Sequence, residues 1–412
     1  LEHSWAKTFA EDIFPSIDEE PFAVLYSSNA SRPNTPVNVC IGALIIKEIF
    51  GISDDEIVEN LMLDPRYQYA LHTTSCEKQP LSDKTLSRFR KRCYDYESAY
   101  GVDLLHGCMT GLGDKIAKMM EVNPRIKRMD SMMIAANIRK LSRAELLYTC
   151  VAKLSAYLYK NVQEILPEAF HHYCDPNDYN KTFYYNNDSE TDTQLKTILE
   201  DADKLLSICG SDYDDITEYQ LMVRCLSEQT IVEESVRRLR TKEDGGFHSG
   251  MLQNPSDPDA TYRKKSGKEY HGYVANLEET VGKNGSVITD YQNEQNNHSD
   301  SQFLKDSLSR NGKQEEEVLL VTDGAYSGKE NRDLAVEKNI RLVNTDLSGK
   351  SVNDILADFV FNESGTKVLR CPAGYEPKSC GYTGAKSQQF HVSFLRDQCA
   401  GCPNQQLCKA KI

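Results

Sequence analysis

Val318-Leu319-Leu320-Val321 is an unbroken apolar run that passes through Thr322 and stops on a carboxylate, Asp323. Runs of this kind are usually strands buried on both faces. A helix predicted over Lys329 to Lys338 and a strand over Arg341-Leu342-Val343-Asn344 complete a βαβ unit. Asp323 then lies at the carboxyl end of a buried strand, before Gly324-Ala325-Tyr326, where α/β folds place their chemistry.

The β texture begins after Ser256-Asp257-Pro258-Asp259. Tyr270 to Thr280 and Ser286 to Tyr291 read as two strands around a Gly282-Lys283-Asn284-Gly285 turn. A helix over Ser299 to Arg310 separates them from the buried run. Further upstream, Arg125 to Ile134 reads as a strand with Asp130 near its middle, and Leu141, Ala144, Leu147, Cys150 and Leu154 follow at helical spacing. Residues 1–80 look helical. Val39 to Phe50 is an apolar run stopped by Gly51, and Ser53-Asp54-Asp55-Glu56 is a capping-box pattern leading into Ile57 and Leu61. A second start at Ser82 opens a basic helix, and two short helices before a basic one is what a helix-turn-helix needs. Between these regions, residues 174–218 are polar and acidic, and read as exposed helices and loops with no assigned chemistry. The fold class is therefore α+β.

At 412 residues the chain is long enough for two or three domains. No stretch approaches the roughly 18 apolar residues of a membrane span. Glu2, His3 and Lys7 precede any apolar segment, so no signal peptide is read. Thirteen cysteines without an export signal point to reduced thiols, metal ligands or buried small residues, and the cytoplasm is the expected location. Both ends, Leu1 without a Met and Ile412 just after a cysteine cluster, read as incomplete. The formal charge is −14, yet Leu81 to Arg143 holds 13 Lys and Arg against 7 Asp and Glu. A basic island in an acidic chain is a sharper hint of a nucleic-acid partner than overall charge.

Two chemistries are open to these residues. Carboxylates presented on adjacent strands, here Asp130 and Asp323, can hold divalent metal for phosphoryl transfer; the bland alternative is a turn or cap. Cys399-x-x-Cys402 followed by Cys408 has metal-ligand spacing, with Cys371 or Cys380 able to supply a fourth thiolate around tetrahedral Zn²⁺. A redox pair is the competing reading. His391 is a possible substitute ligand, although its neighbours alternate like a strand.

Phe22 to Ser27, Arg32-Pro33, Gly42 to Lys47, Gly51 to Asp54 and Leu86 to Arg90 resemble the InsH-type N-terminal domain of bacterial insertion-sequence transposases. Arg128-Met129-Asp130-Ser131, Asn137 to Arg139, Leu141 to Arg143, Asp257 to Arg263, Gly272-Tyr273 and Thr322 to Tyr326 resemble, in order, their DDE catalytic domain. The resemblance implies a helical DNA-binding domain over 1–122, a ribonuclease H-like mixed-sheet domain over 123–370 with an insertion at about 174–222, and a truncated cysteine-rich zinc segment over 371–412. It implies Asp130 and Asp323 as catalytic ligands of Mg²⁺ or Mn²⁺, and Cys371, Cys399, Cys402 and Cys408 as zinc ligands, with Cys380 spare. The third acid of the triad is expected beyond Ile412; Glu330 and Glu363 lack its context, Asp346, a rival that follows a strand, reads as a loop aspartate, and His298 with Asp300 reads as a helix cap.

Arg88, Arg90, Lys91 and Arg92, with a second cluster at Arg263 and Lys264, are the expected DNA contacts. The implied activity is cleavage and joining of double-stranded DNA at the element's terminal inverted repeats and at target DNA. It is carried out by a homodimer near the bacterial nucleoid, with no membrane partner. The alternative is an inactive transposase-derived protein that binds DNA without the third carboxylate.

Overall fold

The capping box at Ser53 forms as its residues require. Ser53 Oγ accepts the N–H of Glu56 at 3.2 Å, and Glu56 Oε2 accepts the N–H of Ser53 at 2.7 Å. A computed structural model describes residues 2–26, 34–73, 81–82, 84–184, 191–265, 267–345, 354–362, 367–383 and 389–408. Its N-terminal helices are α1 (Trp5–Thr8), α2 (Val37–Phe50), α3 (Asp54–Leu63), α4 (Pro65–Ala70), α5 (Thr85–Tyr100) and α6 (Leu104–Met119). Helix α2 ends at Gly51, whose φ of 63° is a left-handed conformation that glycine adopts without strain. Phe22, Ile41, Ile46, Ile57, Leu61, Leu71 and Leu86 are fully buried in one core. Each such side chain contributes roughly 1.5–3 kcal/mol.

Strand β1 (Ile126–Ala135) leads into α7 (Arg143–Asn161), α8 (Asp178–Phe183), α9 (Thr191–Cys209) and α10 (Thr217–Gln229), followed by a hairpin of β2 (Thr230–Glu233) and β3 (Val236–Leu239). The acidic insertion is more than exposed helices and loops. Ile198, Ala202, Leu205 and Cys209 recur at helical spacing on α9 and bury against Leu147, Val151, Leu154 and Leu158 of α7. Ten acidic residues between 181 and 218 dominate the composition of this stretch and mask its apolar stripe.

The main sheet adds β4 (Thr261–Lys265), β5 (Lys268–Gly282), β6 (Gly285–Gln295), β7 (Val318–Thr322) and β8 (Ile340–Asn344), with α11 (Asp300–Arg310) before β7 and α12 (Lys329–Glu337) before β8. Strand order is β4-β5-β1-β7-β8, and β6 also pairs with β5. The pairs β4/β5, β5/β6 and β1/β5 are antiparallel, whereas β1 and β7 are parallel, so the sheet is mixed. Met129, Val274, Leu320, Phe303, Leu304, Tyr326 and Ala335 form the core between this sheet and α11 and α12.

Contacts divide the chain into Leu1–Thr322 with Tyr326–Val343, and Asp323–Ala325 with Asn344–Ile412. The N-terminal helices belong to the first unit because α6 lies on β6. His106 Nε2 is 2.8 Å from Asp290 Oδ1 and 3.0 Å from the Tyr291 carbonyl. A Cβ on Gly113 would stand 2.6 Å from the Ile288 carbonyl oxygen, whereas one on Gly111 would meet nothing within 4 Å. Gly113→Ala is therefore expected to lower unfolding free energy by about 1–3 kcal/mol. Gly111→Ala, on the same helix, should raise it by about 0.5–1 kcal/mol. Urea titration of the two variants reads the difference, and equal midpoints would contradict this packing.

The second unit holds two antiparallel hairpins, β9 (Val360–Phe361) with β10 (Val368–Arg370) and β11 (Ser379–Thr383) with β12 (Gln389–Ser393). Two short helices follow, Arg396–Ala400 and Gln405–Cys408. It begins earlier in the chain than the cysteine-rich segment set at 371.

Candidate functional site

Side chains alternate along β1. Met129 is buried, and Lys127, Ser131 and Met133 are half-buried, on the face that packs on α11; Arg128, Asp130 and Met132 are exposed on the other. Ser131 Oγ donates to Asp300 Oδ1 at 2.6 Å and Lys127 Nζ to Glu278 Oε1 at 2.7 Å, so both half-buried polar groups are partnered. The parallel register runs from Ile126↔Leu319 to Met129↔Thr322. The next residue on each chain segment is an aspartate, Asp130 and Asp323. Asp130 Oδ1 accepts the N–H of Ser131 at 2.8 Å. Asp323 Oδ1 accepts the N–H of Ala325 at 2.6 Å, an Asx-type turn that opens the short helix Gly324–Tyr326.

That turn is anchored from below. Tyr326 is fully buried and its hydroxyl donates to Asn276 Oδ1 at 2.7 Å, while Asn331 Nδ2 donates to the Tyr326 carbonyl at 3.0 Å. Neither asparagine stood out in the sequence. Asn276 could have, since it shares the buried alternation of β5 with Val274, Glu278 and Thr280. Among the rivals, Glu330 is exposed at the start of α12 and paired with Lys305 at 2.6 Å. His298 pairs with Asp306 at 2.9 Å, and Ser299 caps α11 by accepting the N–H of Gln302. Asp346 and Glu363 lie outside the described residues.

In the second unit, Cys371, Cys399, Cys402 and Cys408 line one cavity of about 40 Å³ together with Phe359, Tyr375 and Phe394. Burial, followed by repulsion from Cys402, Cys408 and Cys371, pushes the Cys399 thiol up. The Cys380 thiol is directed elsewhere, 3.6 Å from the Val368 carbonyl, and His391 lies on β12. Among the described residues no group of three or more His, Cys, Asp or Glu side chains is arranged as a metal site.

The basic residues divide by what they touch. Arg90 is ion-paired with Asp54, to which Lys47 also comes within 3.6 Å, and Lys91 pairs with Asp95 at 2.9 Å. Arg88 is exposed, and Arg92 stacks over the Tyr26 ring at 5.0 Å. In the second cluster Arg263 is turned inward, its Nη1 3.3 Å from the Asn296 and His298 carbonyls, whereas Lys264 is exposed. A guanidinium that ties two loop carbonyls serves the sheet edge before it serves a ligand.

The Arg90 guanidinium, partly opposed by burial, holds the Asp54 carboxyl below its usual range. A depressed carboxyl contributes stability that is present above the unfolded value of about 3.9 and is lost as pH falls through the folded value. Arg90→Gln is thus expected to cost about 1 kcal/mol or less at pH 7. The deficit should shrink below about pH 4. Thermal melts across that range check it, and a constant deficit would contradict the pairing.

Residues 2–92, which end on Arg92, match the family model described as Transposase domain (DUF772). This segment is similar to a transposase domain. The match supports an insertion-sequence transposase and covers α1 to α4 together with the first half of α5, including Arg88, Arg90, Lys91 and Arg92. Neither curated proteins nor solved structures gave a match. Among the described residues no helix is long and apolar enough to cross a membrane.

Proposed function

We propose that this chain is a DDE-type DNA transposase. Its transposase domain would hold double-stranded DNA, and a ribonuclease H-like sheet would cleave and join DNA at the ends of an insertion sequence. The observation that carries the reading is the parallel register of β1 and β7, after whose last pair, Met129 and Thr322, both chain segments continue with an aspartate. Strand order also supports it, with the Asp130 strand between an antiparallel hairpin and a parallel neighbour.

Asp130 and Asp323 would hold Mg²⁺ or Mn²⁺, which supplies charge neutralisation and an activated oxygen nucleophile for phosphodiester cleavage. The donor set suits such hard cations, because carboxylate oxygens are their preferred ligands. The chain's own work is positioning. The Asx turn and the buried Tyr326 fix where the Asp323 backbone leaves β7, and the exposed face of β1 leaves Asp130 open to a DNA strand. Four thiols around one cavity suit tetrahedral Zn²⁺, which would relieve their mutual repulsion and tie the second unit together. Zinc measured in the purified chain should fall to background in Cys399→Ser; an unchanged content would remove this assignment.

The second reading is a protein that binds DNA and does not cut it, favoured because among the described residues no group of three or more His, Cys, Asp or Glu side chains is arranged to hold a metal, whereas residues 2–92 match a transposase domain. Incubating the chain with supercoiled plasmid in Mg²⁺ or in EDTA, next to a binding assay without metal, separates the two. Metal-dependent nicking supports the transposase. Binding without nicking supports the second reading, and absence of both removes each.

A further inference from the structure

The four basic side chains on α5 are not equivalent, and the difference assigns them different work. Arg88 and Arg92 stand one helical turn apart and line one pocket of about 230 Å³, shared with Thr85, Asn34 and Tyr26 and floored by Phe89. None of the described residues lining it is acidic, in a chain whose formal charge is −14. Among the described residues, the Arg88 guanidinium has no carboxylate partner. The Arg92 guanidinium lies over the Tyr26 ring, 5.0 Å from its centroid, which holds it at the pocket wall, and it is paired with no carboxylate among the described residues. Arg90 and Lys91, by contrast, are held by Asp54 and Asp95.

We propose that this pocket is a binding site for a phosphate group, gripped by Arg88 and Arg92 with the Thr85 hydroxyl and the Asn34 amide as additional donors. Two guanidinium forks match the geometry of a tetrahedral oxyanion better than a single cation does, and a desolvated floor strengthens the attraction. On α5 the pocket's lining begins at Thr85, the first residue of this 16-residue helix, the end at which negative charge is favoured. This inference rests on the reading that the transposase domain binds DNA, and it deepens it. One specific pocket on α5, rather than the whole basic run, takes a phosphate from the DNA backbone or from a DNA end.

The test measures affinity of the full chain for a fluorescent duplex of arbitrary sequence across a salt series. Each phosphate contact contributes about 0.9 to the slope of log K against log salt. Arg88→Gln and Arg92→Gln should each lower the slope by about 1. Arg92→Lys, which keeps the charge, should retain most of it, and Lys196→Gln on the insertion should change nothing. A double variant that retains the wild-type slope overturns the pocket while leaving DNA binding intact. Duplexes with 5′-phosphate and 5′-hydroxyl ends distinguish the source. Equal affinities assign a backbone phosphate. A preference for the phosphorylated end that the double variant loses assigns a terminal one. If the wild-type chain binds no duplex, the DNA reading fails instead, and thermal shift with inorganic phosphate decides the pocket. A shift in wild type that Arg88→Gln/Arg92→Gln abolishes upholds it, and no shift in wild type overturns it.

Discussion

Asp130→Asn and Asp323→Asn are each expected to reduce metal-dependent nicking by about a thousandfold, roughly 4 kcal/mol of lost transition-state stabilisation. DNA affinity without metal should be unchanged. Asparagine is the informative substitution because it removes the charge and keeps the shape. Asp323 Oδ1 accepts the N–H of Ala325, and an amide oxygen at the same place can still accept it, so the turn after β7 survives. Alanine would remove the charge and the turn bond together, and loss of activity would then have two causes. At position 130 the side chain is exposed and makes one short local bond to the N–H of Ser131, so neutralising it should leave stability within about 0.5 kcal/mol. Equal loss in both variants at unchanged melting temperature is the signature of a shared metal. Loss in only one would break the pair apart and return the other aspartate to the role of a turn residue.

Much of the scaffold for that pair was legible in the chain. The apolar run at Val318 is a strand ending at Thr322, the turn between Gly282 and Gly285 joins two long antiparallel strands, and Ser53 with Glu56 closes its capping box. These features are local. Hydrogen bonds to neighbouring backbone and side-chain periodicity are written in short windows, so residue type alone predicts them.

What the sequence did not disclose depends on tertiary partners. Arg263 has the same appearance as Lys264 in the chain, yet β4 turns the first toward the carbonyls of Asn296 and His298 and the second toward solvent. Arg90 differs from Arg88 only through Asp54, which lies on another helix. Grouping Cys399, Cys402 and Cys408 follows from spacing, whereas adding Cys371 and dropping Cys380 needed the resemblance; in the fold Cys371 lines one cavity with the other three, and the Cys380 thiol is 3.6 Å from the Val368 carbonyl. The buried stripe of α9 was hidden by its own acidic composition, a case where the average over a segment conceals a period within it.

Gly272→Ala is expected to be the most damaging alanine substitution among the described glycines. Gly272 sits where β5 exchanges its outer partner: Thr261 of β4 pairs with Gly272, and Gln295 of β6 pairs with the next residue, Tyr273. On its other side it pairs with Ala135 of β1. Its φ of +142° lies where L side chains are strained, and an added Cβ would stand 2.4 Å from the Ile134 carbonyl oxygen and 2.5 Å from the Ala136 nitrogen. Both are backbone atoms, Ile134 within the strand that carries Asp130 and Ala136 just past its end, so no rotamer change relieves them. Backbone strain of about 1–3 kcal/mol adds to an overpacking cost of similar size. The sum, about 3–5 kcal/mol, is a large share of the 5–15 kcal/mol that holds an ordinary domain folded. Gly101→Ala is the matched control. That glycine also has a positive φ, +68°, but a Cβ there would meet nothing within 4 Å, so only the left-handed penalty of about 1–2 kcal/mol applies. Denaturant midpoints of the two variants should therefore separate widely, with Gly272→Ala recovering poorly in soluble form. If the two behave alike, the close approach of β5 to β1 at this point is wrong, and with it the register that pairs Asp130 with Leu277.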